Sequence, residues 1–320
     1  MQPDFDRISE KLNTYFVTLT ELIEPQNREV WHQVIAPESI RRNLEAVRRP
    51  ANAKDTAPRI ALKRQFEDDF FRAIFTFSQI SHIYHYTTLN FAFSILNQQT
   101  LRMSSIAGIN DRSEINSAST LLTDEIKLPI HHKVFESASE RFILACSKKD
   151  DDLTQWRLYG DDGRGVCLKF QITDTLDNHL DFTLGRILYG RSLLRALKNI
   201  RKEIHTEMGF KLLLRRLFLW RHFMKHVDYK DEEEIRLLYF NDVDKKHYRG
   251  RKWKINRFYI INSFVEISIA GNELPLRLQK VTLGPKCYEK ELNRKQCELF
   301  LKDNGLGNIE VALSKLSHYR

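Results

Sequence analysis

Apolar residues at steps of three and four open the chain. Phe5, Ile8, Leu12, Tyr15, Leu19 and Leu22 fall on one side of a helix predicted over residues 4–23. Pro37, followed by Glu-Ser-Ile-Arg-Arg, suits the first turn of a second helix. Phe66, Phe70, Ile74 and Phe75 mark a third. Residues 48–58, RRPANAKDTAP, are polar, hold two prolines and lack periodicity, and read as a linker. The pattern then changes. Ile83-Tyr84-His85-Tyr86-Thr87 is an aromatic and β-branched run that predicts a strand. Thr88 is placed to cap a helix carrying Phe91, Ile95 and Leu96 at helical spacing, and Leu101-Arg102-Met103 predicts a returning strand. A polar loop through Gly108, Asn110 and Asp111 leads to a helix start near Ser113.

Further strands are expected at 141–147, 166–170, 186–189, 234–240, 258–269, 279–283 and 309–313. Helices are expected at 151–159, ended by Gly160, at 192–226 and at 289–301. Strands do not alternate strictly with helices, which argues against a doubly wound parallel sheet and for a mixed α+β fold. The expected organisation is a helical N-terminal extension over 1–80 and an α+β domain over 81–320.

Composition narrows the function classes. With 42% hydrophobic and 29% charged residues, the chain of 320 reads as an ordinary soluble protein. A net charge of +9 favours an anionic partner. The four cysteines form no CxxC pair, and Cys146 and Cys167 lie in strand-like runs, so buried thiols are expected rather than a disulfide framework. No apolar run approaches membrane-spanning length, and the start MQPDFDRISE lacks signal-peptide features, so a reducing cytoplasm is the expected compartment.

Short motifs recur in a fixed order: YHYT at 84–87, ND..E at 110–114, CS at 146–147, QWRLYG at 155–160, GVCLKF at 165–170, KH at 225–226, E.E.R at 232–236 and LGP at 283–285. Over residues 82–288 this set resembles an uncharacterised bacterial family, a domain of unknown function met in phage-defence-like neighbourhoods. Arg112 stands where that pattern has proline. More distantly, the arrangement resembles the ADP-ribosyltransferase superfamily, which implies a mixed, mostly antiparallel sheet core and NAD as substrate, with no metal. The resemblance places Glu234, His85 and Glu232 in catalysis and Tyr86, Thr87, Arg102, Trp156 and Tyr159 around the cofactor. Its chemistry is coherent: breaking the nicotinamide–ribose bond builds positive charge on the sugar, which a carboxylate such as Glu234 stabilises. Glu232, two residues away on the same strand face, would orient the acceptor. Arg102 or Arg157 would pair the pyrophosphate.

Each residue also has a structural reading. His85 suits a histidine bonded to backbone, Glu234 and Arg236 an i,i+2 ion pair, and Trp156 and Tyr159 the core. His222 and His226 are four apart but lack the HExxH pattern, and the acids at 150–152 and 161–162 suit a solvated loop or a metal-dependent nuclease. Residues 245–257 hold seven Lys or Arg, two aromatics and no acid. Lys245, Lys246, Arg249, Arg251, Lys252, Trp253 and Lys254 are therefore candidates for contact with a single-stranded nucleic acid. The alternative function is a nucleic-acid-binding module without catalysis, and a protein acceptor stays open beside a nucleic acid.

Overall fold

The computed structural model describes residues 3–48, 57–76, 80–106, 141–173, 182–241, 249–255, 259, 261–271 and 273–317. Asn110, Asp111, the helix start at Ser113 and most of the expected linker lie outside them. In chain order the strands are β1 (Leu44–Val47), β2 (Arg59–Leu62), β3 (His82–Thr87), β4 (Thr100–Ser105), β5 (Arg141–Ser147), β6 (Val166–Ile172), β7 (Phe182–Arg186) and β8 (Leu188–Tyr189). They continue with β9 (Lys211–Leu213), β10 (Met224–Lys225), β11 (Glu234–Phe240), β12 (Lys252–Ile255), β13 (Ile261–Ser268), β14 (Leu276–Leu283) and β15 (Glu310–Leu313). The α-helices are α1 (Phe5–Val17), α2 (Arg28–Ile35), α3 (Pro37–Asn43), α4 (Arg64–Phe75), α5 (Leu89–Gln98), α6 (Leu153–Leu158), α7 (Ser192–Met208), α8 (Leu217–Trp220) and α9 (Lys290–Asp303). The fold is α+β with a mixed, mostly antiparallel sheet.

The chain divides into two compact units, and the first joins residues 1–78 to residues 186–227. It therefore differs from the expected extension in holding strands as well as helices. The helix expected to run on from Pro37 stops at Asn43, and Leu44–Val47 pairs antiparallel with Arg59–Leu62 instead. The long helix expected over 192–226 ends at Gly209, whose φ of +74° is the left-handed cap that glycine adopts without a Cβ penalty. The chain then extends as β9, parallel to β2.

Phe70 on α4 sits at the centre of this unit's aromatic core. Its ring lies 4.9 Å from Phe16, 5.0 Å from Trp31 and stacked 5.1 Å from Trp220. One helical step away, Glu67 is fully buried, and its carboxylate accepts the backbone N–H groups of Arg215, at 2.8 Å, and Arg216. It thereby satisfies the two donors of the turn that leads from β9 into α8. Burial pushes the Glu67 carboxyl up to about 7, against the pull of those two hydrogen bonds.

The second unit is built on the sheet β12-β13-β4-β5-β3-β6-β14-β15, with β11 also on β5 and β7 on β11. β5 is paired along one whole edge with β11, from Glu234 opposite Ser147 to Phe240 opposite Arg141. Its other edge is divided. β4 takes Phe142 and Ile143, whereas β3 takes Ser147 alone. Both run antiparallel to β5, so they are parallel to each other and part company over Ala145, which is exposed. Helix α5 crosses from one to the other. Thr88 caps its start by accepting from the Phe91 N–H, and Gln99 closes it in the left-handed conformation.

Away from that gap, the sequence motifs meet in a packed junction. Trp156 is fully buried, edge-on to Tyr86 at 5.0 Å, and donates its indole N–H to Asp151 at 2.8 Å. The same carboxylate accepts the Ser314 hydroxyl and the Lys315 N–H, both at 2.6 Å, which ties down the end of the chain. A Cβ on Gly165 would stand 2.2 Å from the Thr87 carbonyl, and one on Gly284 2.3 Å from the Gly163 carbonyl. Gly165 and Gly284, from the GDDGRGV and LGP motifs, are thus fixed by close backbone approach.

Two measurements check these packing arguments. The raised Glu67 carboxyl destabilises the fold only when ionised, so unfolding free energy should fall as pH rises from about 4.5 to about 7, by roughly 3 kcal/mol in total. Urea titrations across that range should show the fall in the wild type and lose it in Glu67→Gln. Gly165→Ala should cost about 2–4 kcal/mol, because backbone must shift, whereas Gly250→Ala, with open space around it, should cost less than about 0.5 kcal/mol.

Candidate functional site

The gap between β3 and β4 forms a cleft of about 240 Å³. β3 contributes His85 and Thr87, α5 contributes Phe91 and Ser94, β4 contributes Arg102 and Ser104, and β12 contributes Lys254. Hydroxyls, a histidine and two cations from four elements therefore face one space within the second unit.

His85 fills the place where β5 has no ladder partner. Its Nδ1 lies 3.0 Å from the Ala145 carbonyl oxygen, which can only accept, so Nδ1 carries the proton and Nε2 keeps its lone pair. Burial pulls the imidazole below its ordinary value, opposed by that backbone hydrogen bond. His85 is consequently neutral at pH 7, and its Nε2 is an acceptor.

The cations are unequally balanced. Arg102 donates through Nε to Glu266 at 3.1 Å and lies 5.2 Å from the Phe264 ring centre. Lys252 shares the same carboxylate. Burial opposes ionisation of Glu266, but the hydrogen bonds from Lys252 and Arg102 outweigh it and hold the carboxyl below its ordinary value. Lys254 sits 6.0 Å from the Phe91 ring centre and 5.6 Å from that of Phe264, and among the described residues it has no carboxylate partner. Burial, then the Arg102 charge, pull its ammonium below its ordinary value. Of three cations here, only Arg102 and Lys252 share the one carboxylate. A bound anion would relieve that imbalance.

The other expected site residues lie elsewhere. Glu234 is buried and does not line the cleft; Arg236 clamps it through Nε at 2.5 Å and Nη2 at 3.2 Å. Glu232 is not on the strand with Glu234, as expected from the spacing, but ends the 3-10 turn Val227–Glu232. Glu233, at φ +43°, breaks the alternation between them. The Glu232 carboxylate accepts the Tyr159 hydroxyl at 2.8 Å, and its carbonyl accepts the Ser147 hydroxyl and the Gln155 amide. Tyr86 and Trp156 are buried against each other, which leaves neither a face for a nicotinamide ring. The Tyr86 hydroxyl donates to the Lys149 carbonyl and accepts the Asp152 N–H, and burial pushes it far above its ordinary value.

The basic segment is also redistributed. Lys245 and Lys246 lie outside the described residues. Arg249 pairs with Glu273 at 2.7 Å, Arg251 is exposed, Lys252 goes to Glu266, Trp253 is exposed and Lys254 enters the cleft. Sequence reasoning missed Lys254 as a cleft residue. The signal was present in Lys-Trp-Lys-Ile, where a period of two puts both lysines on one face of a strand. Ser94, Ser104 and Glu266 carry no signal without the register.

The acids expected as a solvated loop or nuclease site have structural duties: Asp152 caps α6, Asp151 holds Trp156, and Asp162 pairs Lys286. Among the described residues no group of three His, Cys, Asp or Glu could hold a metal ion. No described helix is long and apolar enough to cross a membrane.

A family model described as "Protein of unknown function (DUF2971)" matches residues 155–237. That stretch contains Trp156, Tyr159, Glu232 and Glu234, and it stops short of His85, Arg102 and Lys254 on either side. No curated protein and no solved structure matches the chain. The chain is similar, over those residues, to a family whose activity has not been assigned.

Proposed function

We propose that the cleft between β3 and β4 binds the phosphates of a nucleotide, with NAD the first ligand to test, and that the chain is an ADP-ribosyltransferase-like enzyme. The observation that carries this reading is the convergence of neutral His85, Arg102 and Lys254 on the gap where two parallel strands separate. Arg102 and Lys254 would take phosphate oxygens, His85 Nε2 would accept a ribose hydroxyl, and the half-exposed Phe91 ring would pack against a sugar or base. A space of about 240 Å³ is below the usual range of small-molecule sites. It suits one phosphoribosyl half of a dinucleotide, with the remainder lying over the surface.

Glu234 enters this reading from the sequence resemblance as the carboxylate that would answer the developing sugar cation. Its pairing with Arg236 fixes its orientation. A nucleic acid is the acceptor this reading favours, because Lys254 belongs in the sequence to the run of cations from 245 to 257.

Calorimetry with NAD and ADP-ribose should show binding that weakens about tenfold or more in Arg102→Met and in Lys254→Met, as expected for a lost charge-assisted contact. Affinity should fall as pH rises through the Lys254 pKa, which lies below 10.5, since only the ammonium form attracts phosphate. Lys254→Arg should retain affinity at the higher pH. Nicotinamide release should disappear in Glu234→Gln. That variant leaves Arg236 buried with half its partner, so its fold must be verified by circular dichroism. Neither binding nor release from NAD in the wild type would overturn the reading.

A further inference from the structure

The β12–β13 hairpin has two faces with opposite character. Register places Lys252 opposite Phe264 and Lys254 opposite Asn262 on the face that serves the cleft. It places Trp253 opposite Ser263 and Ile255 opposite Ile261 on the other. On that second face Ser263 is buried, but Trp253 is 63% exposed, Ile255 67% and Ile261 68%. Tyr259, in the connection between the strands, is 91% exposed. Among the described residues β12 ends the sheet, so this apolar strip continues to its edge. Large apolar side chains gathered in this way mark an interaction surface more often than isolated ones do.

We propose that this face binds single-stranded nucleic acid, with bases stacked on Trp253 and Tyr259 and phosphates drawn to the surrounding cations. The partner's class follows from charge. Residues 245–257 carry seven Lys or Arg and no acid, on a chain of net charge +9. Arg251 is exposed beside Trp253. Arg249 makes an ion pair whose Glu273 partner is half exposed, and a phosphate can displace such a pair at small cost. A second copy of the chain would bring two such runs together and repel. A duplex hides its base faces, whereas a single strand offers them to any exposed aromatic ring. The surface stands on its own residues and does not depend on what occupies the cleft.

The test uses the full chain and a fluorescently labelled 20-nucleotide oligouridine, with a duplex of equal length and phosphatidylserine vesicles as competing probes. Anisotropy should show binding to the single strand that weakens linearly in log–log form with added salt. Trp253→Ala and Tyr259→Ala should each weaken it about fivefold or more, with the salt slope kept. Arg251→Ala should weaken it and reduce the slope by about one. These side chains are exposed, so the variants should unfold at the wild-type denaturant concentration. Failure to bind the single strand, equal binding of the duplex, or indifference to both aromatic substitutions would overturn the proposal. So would vesicle binding in place of oligonucleotide binding, or a wild-type dimer in sedimentation that Trp253→Ala dissociates.

Discussion

β5 has one complete ladder and one interrupted ladder, and the second unit's chemistry depends on that difference. Where β3 and β4 separate, the Ala145 carbonyl would be left at the floor of the gap without a strand to answer it. His85 supplies the missing donor through Nδ1 at 3.0 Å. This single hydrogen bond satisfies a backbone group and fixes the imidazole's tautomer. It also leaves Nε2 unprotonated in a space lined with cations. The structural reading of His85 and the functional one are therefore the same geometry. A histidine bound to backbone is what presents an acceptor to the cleft.

The electrostatics around that gap come from a hairpin remote in sequence. Glu266 takes Arg102 and Lys252, so the positive charge left over is concentrated at Lys254, between two phenylalanine rings. A half-buried ammonium held below its ordinary value is a receptive site, because an arriving anion restores the ionised form's stability. The same alternation that turns Lys254 inward turns Trp253 and Ile255 outward. One short strand thus serves two surfaces of different chemistry.

Much of the fold was legible because local pattern and tertiary environment agree. The βαβ passage from His82 to Ser105, the β5 and β6 runs and the capped α6 all stand where periodicity and capping residues put them. The failures have physical causes. Leu44–Val47 follows a helical pattern closely enough to extend it, and only the distant β2 partner makes it a strand. The two glutamates around Glu233 cannot share a strand face because a residue at φ +43° separates them, and nothing in the spacing reveals that angle. Trp156, Gly160, Gly165 and Gly284 gave the sequence its recognisable motifs, yet they prove to be packing: the Trp156 ring is fully buried against Tyr86 and over Gly160, and Gly165 and Gly284 approach neighbouring backbone too closely for a Cβ. Of the motifs, YHYT lines the cleft through His85 and Thr87, whereas QWRLYG, E.E.R and LGP do not. The cleft itself was legible only in His85, Thr87 and Arg102; Lys254 required the β12–β13 register.

A crystal structure of the protein soaked with ADP-ribose would test the central claim most directly. A phosphate held within hydrogen-bond distance of both Arg102 and Lys254, with a ribose hydroxyl donating to His85 Nε2, is the predicted result. Density for the ligand elsewhere on the chain, with those three side chains unmoved and the cleft filled by solvent at saturating ligand, would contradict it.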